Sequence, residues 1–174
     1  MSTEAGTPRP AVLSGSTLAW LAGGGDMGDA IRSFDWSGTI LGPIESWPEA
    51  LRVTLGLCLN SRFPMFVWWG RTLINFYNDA YIPILGKRHP GALGRNAPEL
   101  WHDVWPAIAN QVEAVFERGE ASWHRRIPLV TNRNGYNEDA YFTYSHSPVF
   151  DGSGRVSGLL CVVTEETEHV MAGE

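Results

Sequence analysis

At 174 residues, with 44% hydrophobic side chains and eight Trp, seven Phe and five Tyr, the chain is long enough to bury one sizeable core. Its net charge is −6, and its 13 basic residues stand singly apart from Lys87-Arg88 and Arg125-Arg126, which excludes the clustered basic footprint that nucleic acid requires. No apolar run approaches the ~20 residues of a bilayer span, and the N-terminus lacks the basic and apolar regions of a signal peptide. A cytoplasmic chain without membrane insertion is expected.

Residues 1–34 read as a flexible N-terminal segment that ends in a short helix. Residues 1–15 are small, polar and proline-bearing, which predicts disorder, whereas Asp26–Phe34 sets Met27, Ile31 and Phe34 on one helical side. Residues 35–61 read as a loop followed by a capping helix. Ser46 and Glu49 have capping-box spacing and Pro48 suits a first turn, so a helix should run to about Asn60 with Trp47, Leu51, Leu55 and Cys58 on one stripe. Val53, Leu57 and Leu59 widen that stripe almost all the way round. Such a helix needs two partners, and a homodimer built on residues 47–60 is the expectation.

Two dense apolar runs, Phe63–Trp69 and Leu73–Tyr77, flank Gly70-Arg71-Thr72 and predict a tight hairpin. Asn78-Asp79 then offers a capping side chain to a short apolar helix that stops at Gly86. Helices follow over Pro98–Val104 and Trp105–Arg118, the second closed by Gly119. Three strands complete the pattern: Ser122–Val130, Tyr136–Val149 and a nearly all-apolar Val156–Thr164, with turns at 132–135 and 151–154. The fold class is α+β: a five-stranded antiparallel sheet over residues 62–166, with short helices on one face and an N-terminal helical extension. Residues 167–174 would begin a linker. Cys58 and Cys161 sit in apolar runs and read as buried free thiols.

This order of elements across Arg62–Glu166 resembles the PAS fold. A more specific resemblance lies in Asp35-Trp36-Ser37, Leu41-Gly42-Pro43, Ser46-Trp47-Pro48, Leu51-Arg52, Asn60-Ser61-Arg62-Phe63-Pro64-Met65, Trp68-Trp69-Gly70, Phe76-Tyr77-Asn78-Asp79-Ala80-Tyr81 and Tyr141-Phe142-Thr143-Tyr144-Ser145. These motifs resemble a PAS subfamily found at the N-termini of bacterial two-component sensor histidine kinases. The resemblance implies a non-catalytic sensory or signal-transfer module whose partner is a histidine kinase output module. Many PAS domains close on an Asp-Ile-Thr triplet; read against Val163-Thr164-Glu165, only its Thr remains. Signal output is therefore expected at Thr164 and Glu165, with the Thr164 hydroxyl bonded to nearby backbone.

Other chemistries find little support. Asn60-Ser61-Arg62-Phe63 echoes the Asn-Cys-Arg-Phe motif of flavin-binding photosensory PAS domains, but carries Ser for the reactive Cys, so flavin is disfavoured. None of the five histidines forms an H-x-x-x-H pair or neighbours a cysteine, which argues against a metal; His102 is the best placed for haem, also disfavoured. Gly86-Lys87-Arg88 lacks the remainder of a phosphate loop, and no G-x-S-x-G elbow is present. No cofactor is expected. Trp68, Phe76, Tyr81, Trp101, Trp105, Phe142 and Tyr144 are candidate walls of a ligand cavity, with Asn75, Arg126 and His146 as candidate hydrogen-bonding groups. The alternatives are a ligand-free dimerisation module, in which these rings fill a core, and a small cone-shaped α+β enzyme.

Overall fold

The computed structural model describes residues 19–174; the disorder expected of residues 1–15 lies outside them. Helix α1 spans Gly25–Ser33 and buries Met27 and Ile31. Its first turn is capped from far away in sequence. The Asp79 carboxylate accepts from the backbone N–H of Asp26 at 3.0 Å and of Met27 at 2.8 Å, which satisfies two orphan donors of the helix start. Gly25 has φ 63°, and a Cβ there would collide with that carboxylate, so the cap requires glycine.

Helix α2 spans Glu49–Leu59. The capping box does not form: Ser46 closes a separate short turn and donates to the Pro43 carbonyl at 2.7 Å. Trp47 precedes Pro48 and is therefore held extended, which delays the helix to Glu49. Leu51, Leu55, Cys58 and Leu59 face inward, while Val53 and Leu57 remain 56% and 67% exposed, so two of the seven residues of the broad stripe are left uncovered by the described residues.

Strands β1 (Met65–Trp69), β2 (Ile74–Tyr77), β3 (Ser122–Thr131), β4 (Glu138–Phe150) and β5 (Val156–Glu165) form one sheet in the order β2-β1-β5-β4-β3, each pair antiparallel. Strand β5 is central. Segment 92–97 runs along the free edge of β2, where Asn75 N–H donates to the Arg95 carbonyl at 2.8 Å and Ala97 N–H to that of Leu73 at 2.9 Å. That pairing covers an edge that would otherwise invite association.

Helices α3 (Ile82–Leu85), α4 (Ala97–Leu100) and α5 (Trp105–Arg118) cover one face of the sheet, and α5 ends on Gly119 with φ 63°. The N-terminal extension covers part of the other. Trp36 packs tilted and Trp47 edge-on against Phe76 there, at 5.2 and 5.4 Å between ring centroids. Last comes α6, Thr167–Met171.

Candidate functional site

Strand periodicity decides which residues meet beneath α3–α5. Phe142, Tyr144 and His146 alternate inward along β4; opposite them on β5, Tyr144 pairs with Val163 and His146 with Cys161. Phe66 and Trp68 project from β1 on the same side and stack at 4.3 Å. Tyr81 from the β2–α3 corner and Trp101 from the end of α4 close the top. Together they line a cavity of about 60 Å³. Sites for drug-sized ligands run to ~300–1,000 Å³, so a molecule of that size would have to part the helices from the sheet.

The lining contains no charged side chain. Thr131 donates its hydroxyl to Asp103 at 2.9 Å, and Tyr144 donates to Gln111 at 2.6 Å. His146 is 2% exposed, and its Nδ1 is buried without a hydrogen-bond partner among the described residues. Burial, with a smaller push from His124, lowers its pKa to about 3, so the ring is neutral. Burial also raises the Cys161 thiol and the Tyr81 hydroxyl well above their ordinary ranges, so neither ionises. His124 stacks on Tyr144 at 4.8 Å, and beyond it a groove of about 330 Å³ opens between α5 and the start of β3.

Of the residues singled out in the sequence, Trp68, Tyr81, Trp101, Phe142, Tyr144 and His146 come together around the cavity. Four do not. Phe76 pairs with Val67 and points to the opposite face under Trp36 and Trp47; a shift of one residue along a strand exchanges faces. Asn75 shares the face of Trp68 but is committed to structure, accepting from Trp68 Nε1 at 3.1 Å and donating to the Ala92 carbonyl at 3.1 Å. Trp105 packs behind Trp68 at 5.6 Å. Arg126 occupies a bulge in β3 with φ 49° and turns to Glu166 and the Glu174 carbonyl. His102 is exposed.

At the far end of β5 the chain is tied by a network that sequence reasoning placed only in part. Arg133 is 7% exposed and binds Glu165 through two bonds of 2.6 and 2.9 Å. It also reaches Glu138 at 2.7 Å and the Ile84 carbonyl at the end of α3 at 3.0 Å. Glu165 thus joins the strand exit to the helical face. The Thr164 hydroxyl makes no hydrogen bond among the described residues; the bond to nearby backbone expected of it is made by Thr167 instead. That hydroxyl accepts from Tyr141 N–H at 3.1 Å and donates to Glu165 at 2.7 Å. The acid-x-Thr spacing of the closing triplet therefore recurs two residues later, as Glu165-Glu166-Thr167. Arg133 was hidden because the turn Asn132-Arg133-Asn134-Gly135 reads as solvated.

Among the described residues, no three His, Cys, Asp or Glu side chains gather as metal ligands do, and no helix is long and apolar enough to cross a membrane. Cys58 and Cys161 are free and buried.

Comparison with solved structures places the fold. An RNA-binding light-oxygen-voltage receptor matches with a TM-score of 0.52 at 20% identity, over 71% of this chain and 35% of that one. The PAS domain of a protein from Colwellia psychrerythraea matches with a TM-score of 0.50 at 12% identity, over 62% of this chain and 89% of that one. A light-oxygen-voltage domain studied with a flavin analogue matches with a TM-score of 0.48 at 18% identity, over 64% and 82% of the two chains. This chain thus spans about a third of the receptor's length, and the likeness is one of fold. No curated protein matches the sequence.

The receptor match, at a TM-score of 0.52, overturns the expectation that disfavoured flavin, because a light-oxygen-voltage receptor shares this fold. The physical reason is positional. Ser61 lies ahead of β1, where the carbonyls of Ser61 and Phe63 accept from the Asn78 amide. It lies outside the cavity lining, so its identity decides nothing about the cavity's contents. A family model described as the PAS fold matches residues 58–165, from the end of α2 to the last residue of β5. Since that match takes in the whole sheet and every helix of the cavity roof, the chain belongs to the PAS fold family.

Proposed function

We propose that this chain is a non-catalytic PAS sensory module that binds a small molecule between its sheet and α3–α5 and relays binding through β5 to a C-terminal output. One observation carries the reading. The strand that lines the cavity with Cys161 and Val163 delivers Glu165, two residues on, into the Arg133 and Thr167 bonds. Packed interiors transmit strain rather than absorb it, so a change at Val163 is felt at Glu165. The output is a histidine kinase module of two-component signalling; this rests on the motifs from Asp35 to Ser145 that resemble the sensor-kinase subfamily.

Hydrogen exchange on the purified chain, with native mass spectrometry and an absorption spectrum to identify any co-purified molecule, tests the relay. Occupancy of the cavity should change protection at the Tyr141 and Thr167 amides, the two ends of the exit tie. Unchanged exchange there on occupancy would rule the relay out.

A second reading, a dimerisation module without ligand, is favoured by the exposed Val53 and Leu57 on α2. Homodimerisation through α2 is compatible with both readings. Sedimentation of wild type against Leu57→Asp separates a dimer on this face from a monomer.

A further inference from the structure

The chemistry of the cavity restricts what it can hold. Its walls are aromatic and aliphatic, and no charged group lines them. An ionised ligand would therefore be desolvated without a counter-charge, which is costly. Thr131 and Tyr144 already direct their hydroxyls to Asp103 and Gln111. The His146 imidazole differs. It is fully buried between Trp68, Tyr144 and His124, its Nδ1 has no partner, and neither ring nitrogen is hydrogen-bonded among the described residues. Buried polar groups are ordinarily paired, and one left unpaired costs free energy that a ligand can return. A neutral imidazole offers one donor and one acceptor, so it matches a group able to do either, such as a hydroxyl or a ring nitrogen. A volume of about 60 Å³ is below the ~150 Å³ of an apolar cavity that binds benzene, so any ring must displace the walls, and a single ring displaces them least.

Resting on the ligand-binding reading above, we propose that the cavity takes an uncharged single-ring aromatic molecule bearing one hydrogen-bonding group, and that His146 reads that group. The ring is held by dispersion and apolar burial; the hydrogen bond to His146 selects a hydroxylated or heteroaromatic ring over a plain hydrocarbon.

The test uses the full chain with three probes: phenol, toluene and benzoate. Binding is measured by calorimetry and by tryptophan fluorescence, which Trp68 and Trp101 in the walls should report. Phenol should bind roughly tenfold more tightly than toluene, the scale of one hydrogen bond, and benzoate should not compete. His146→Leu should erase the preference for phenol while toluene binding persists. Should that variant fail to fold, the imidazole nitrogen resonances of wild-type His146 supply the same answer, because phenol should move them and toluene should not. Benzoate binding as well as phenol, a preference that survives His146→Leu, or resonances indifferent to phenol would each overturn the proposal. If none of the probes binds but native mass spectrometry finds another molecule in the cavity, the class named here is wrong and the sensory reading stands. If nothing binds and nothing co-purifies, both fall.

Discussion

The two faces of the sheet use the same kind of residue to opposite ends. On the outer face, Trp36, Trp47 and Phe76 contact one another at centroid distances of 5.1 to 5.4 Å and fill their space. Each indole N–H is satisfied locally, Trp36 by the Ile31 carbonyl at 2.8 Å and Trp47 by the Gly42 carbonyl at 3.1 Å. On the inner face, Phe66, Trp68, Tyr81, Trp101, Phe142 and Tyr144 leave a cavity, and His146 Nδ1 has no partner among the described residues. Aromatic content alone does not separate a filled core from a binding site. An unpaired polar atom beside free volume does: Trp20 Nε1, next to Trp47, is also buried without a partner among the described residues, but it lies outside the cavity.

The sharpest test of this contrast is truncation on the filled side. Phe76→Ala removes the ring on which both Trp36 and Trp47 rest, and should cost about 3–5 kcal/mol in urea denaturation. A loss below about 1 kcal/mol would mean that the outer cluster is not close-packed. Next in size is the tie between the two faces at the sheet's end. Arg133→Met strips both Glu165 and Glu138 of their cation, and about 2–3 kcal/mol should be lost. Because those carboxylates are partly exposed, the loss should stay below that of a fully buried pair. A neutral result would identify the network as ornamental.

The inner face should also announce itself through pH. His146 has its folded pKa depressed to about 3 by burial, against about 6.5 in the unfolded chain. Below pH 6.5 the unfolded state takes up a proton that the folded state refuses, so stability falls as pH drops toward 3, by about 1.4 kcal/mol for each pH unit. His146→Leu should flatten that part of the stability profile. Carboxylates contribute at lower pH. Burial works against Asp103, but the Arg88 guanidinium, the Asn132 N–H and the Thr131 hydroxyl outweigh it and hold its pKa below the usual range. Its contribution is complete above about pH 4 and is lost as pH falls through the folded value. The smallest effect belongs to the exit: Thr167→Val should cost about 1 kcal/mol globally while raising hydrogen exchange at Tyr141. If the Tyr141 amide stays protected, Thr167 does not hold α6 to β4.

Local rules in the sequence reach far in this protein. The helix over Trp105–Arg118 and its Gly119 stop, the inward alternation of Tyr144 and His146, and the central place of Val156–Thr164 follow from periodicities of 3.6 and 2 and from residues suited to caps. Six of the ten proposed cavity residues meet for the same reason. The rest depended on contacts that no local pattern carries. Phe76 and Asn75 are neighbours, and pairing with β1 and cover from the N-terminal segment decide which of them faces the cavity side and which faces Trp36. Asp79 caps a helix 52 residues upstream of it. Arg133 stands in a polar turn that reads as solvated, and becomes buried because Glu165, 32 residues on, crosses the sheet's end to meet it. Periodicity acts between neighbours in the chain and is written there; burial and pairing act between neighbours in space, and the five-stranded sheet with its two helical covers brought those together.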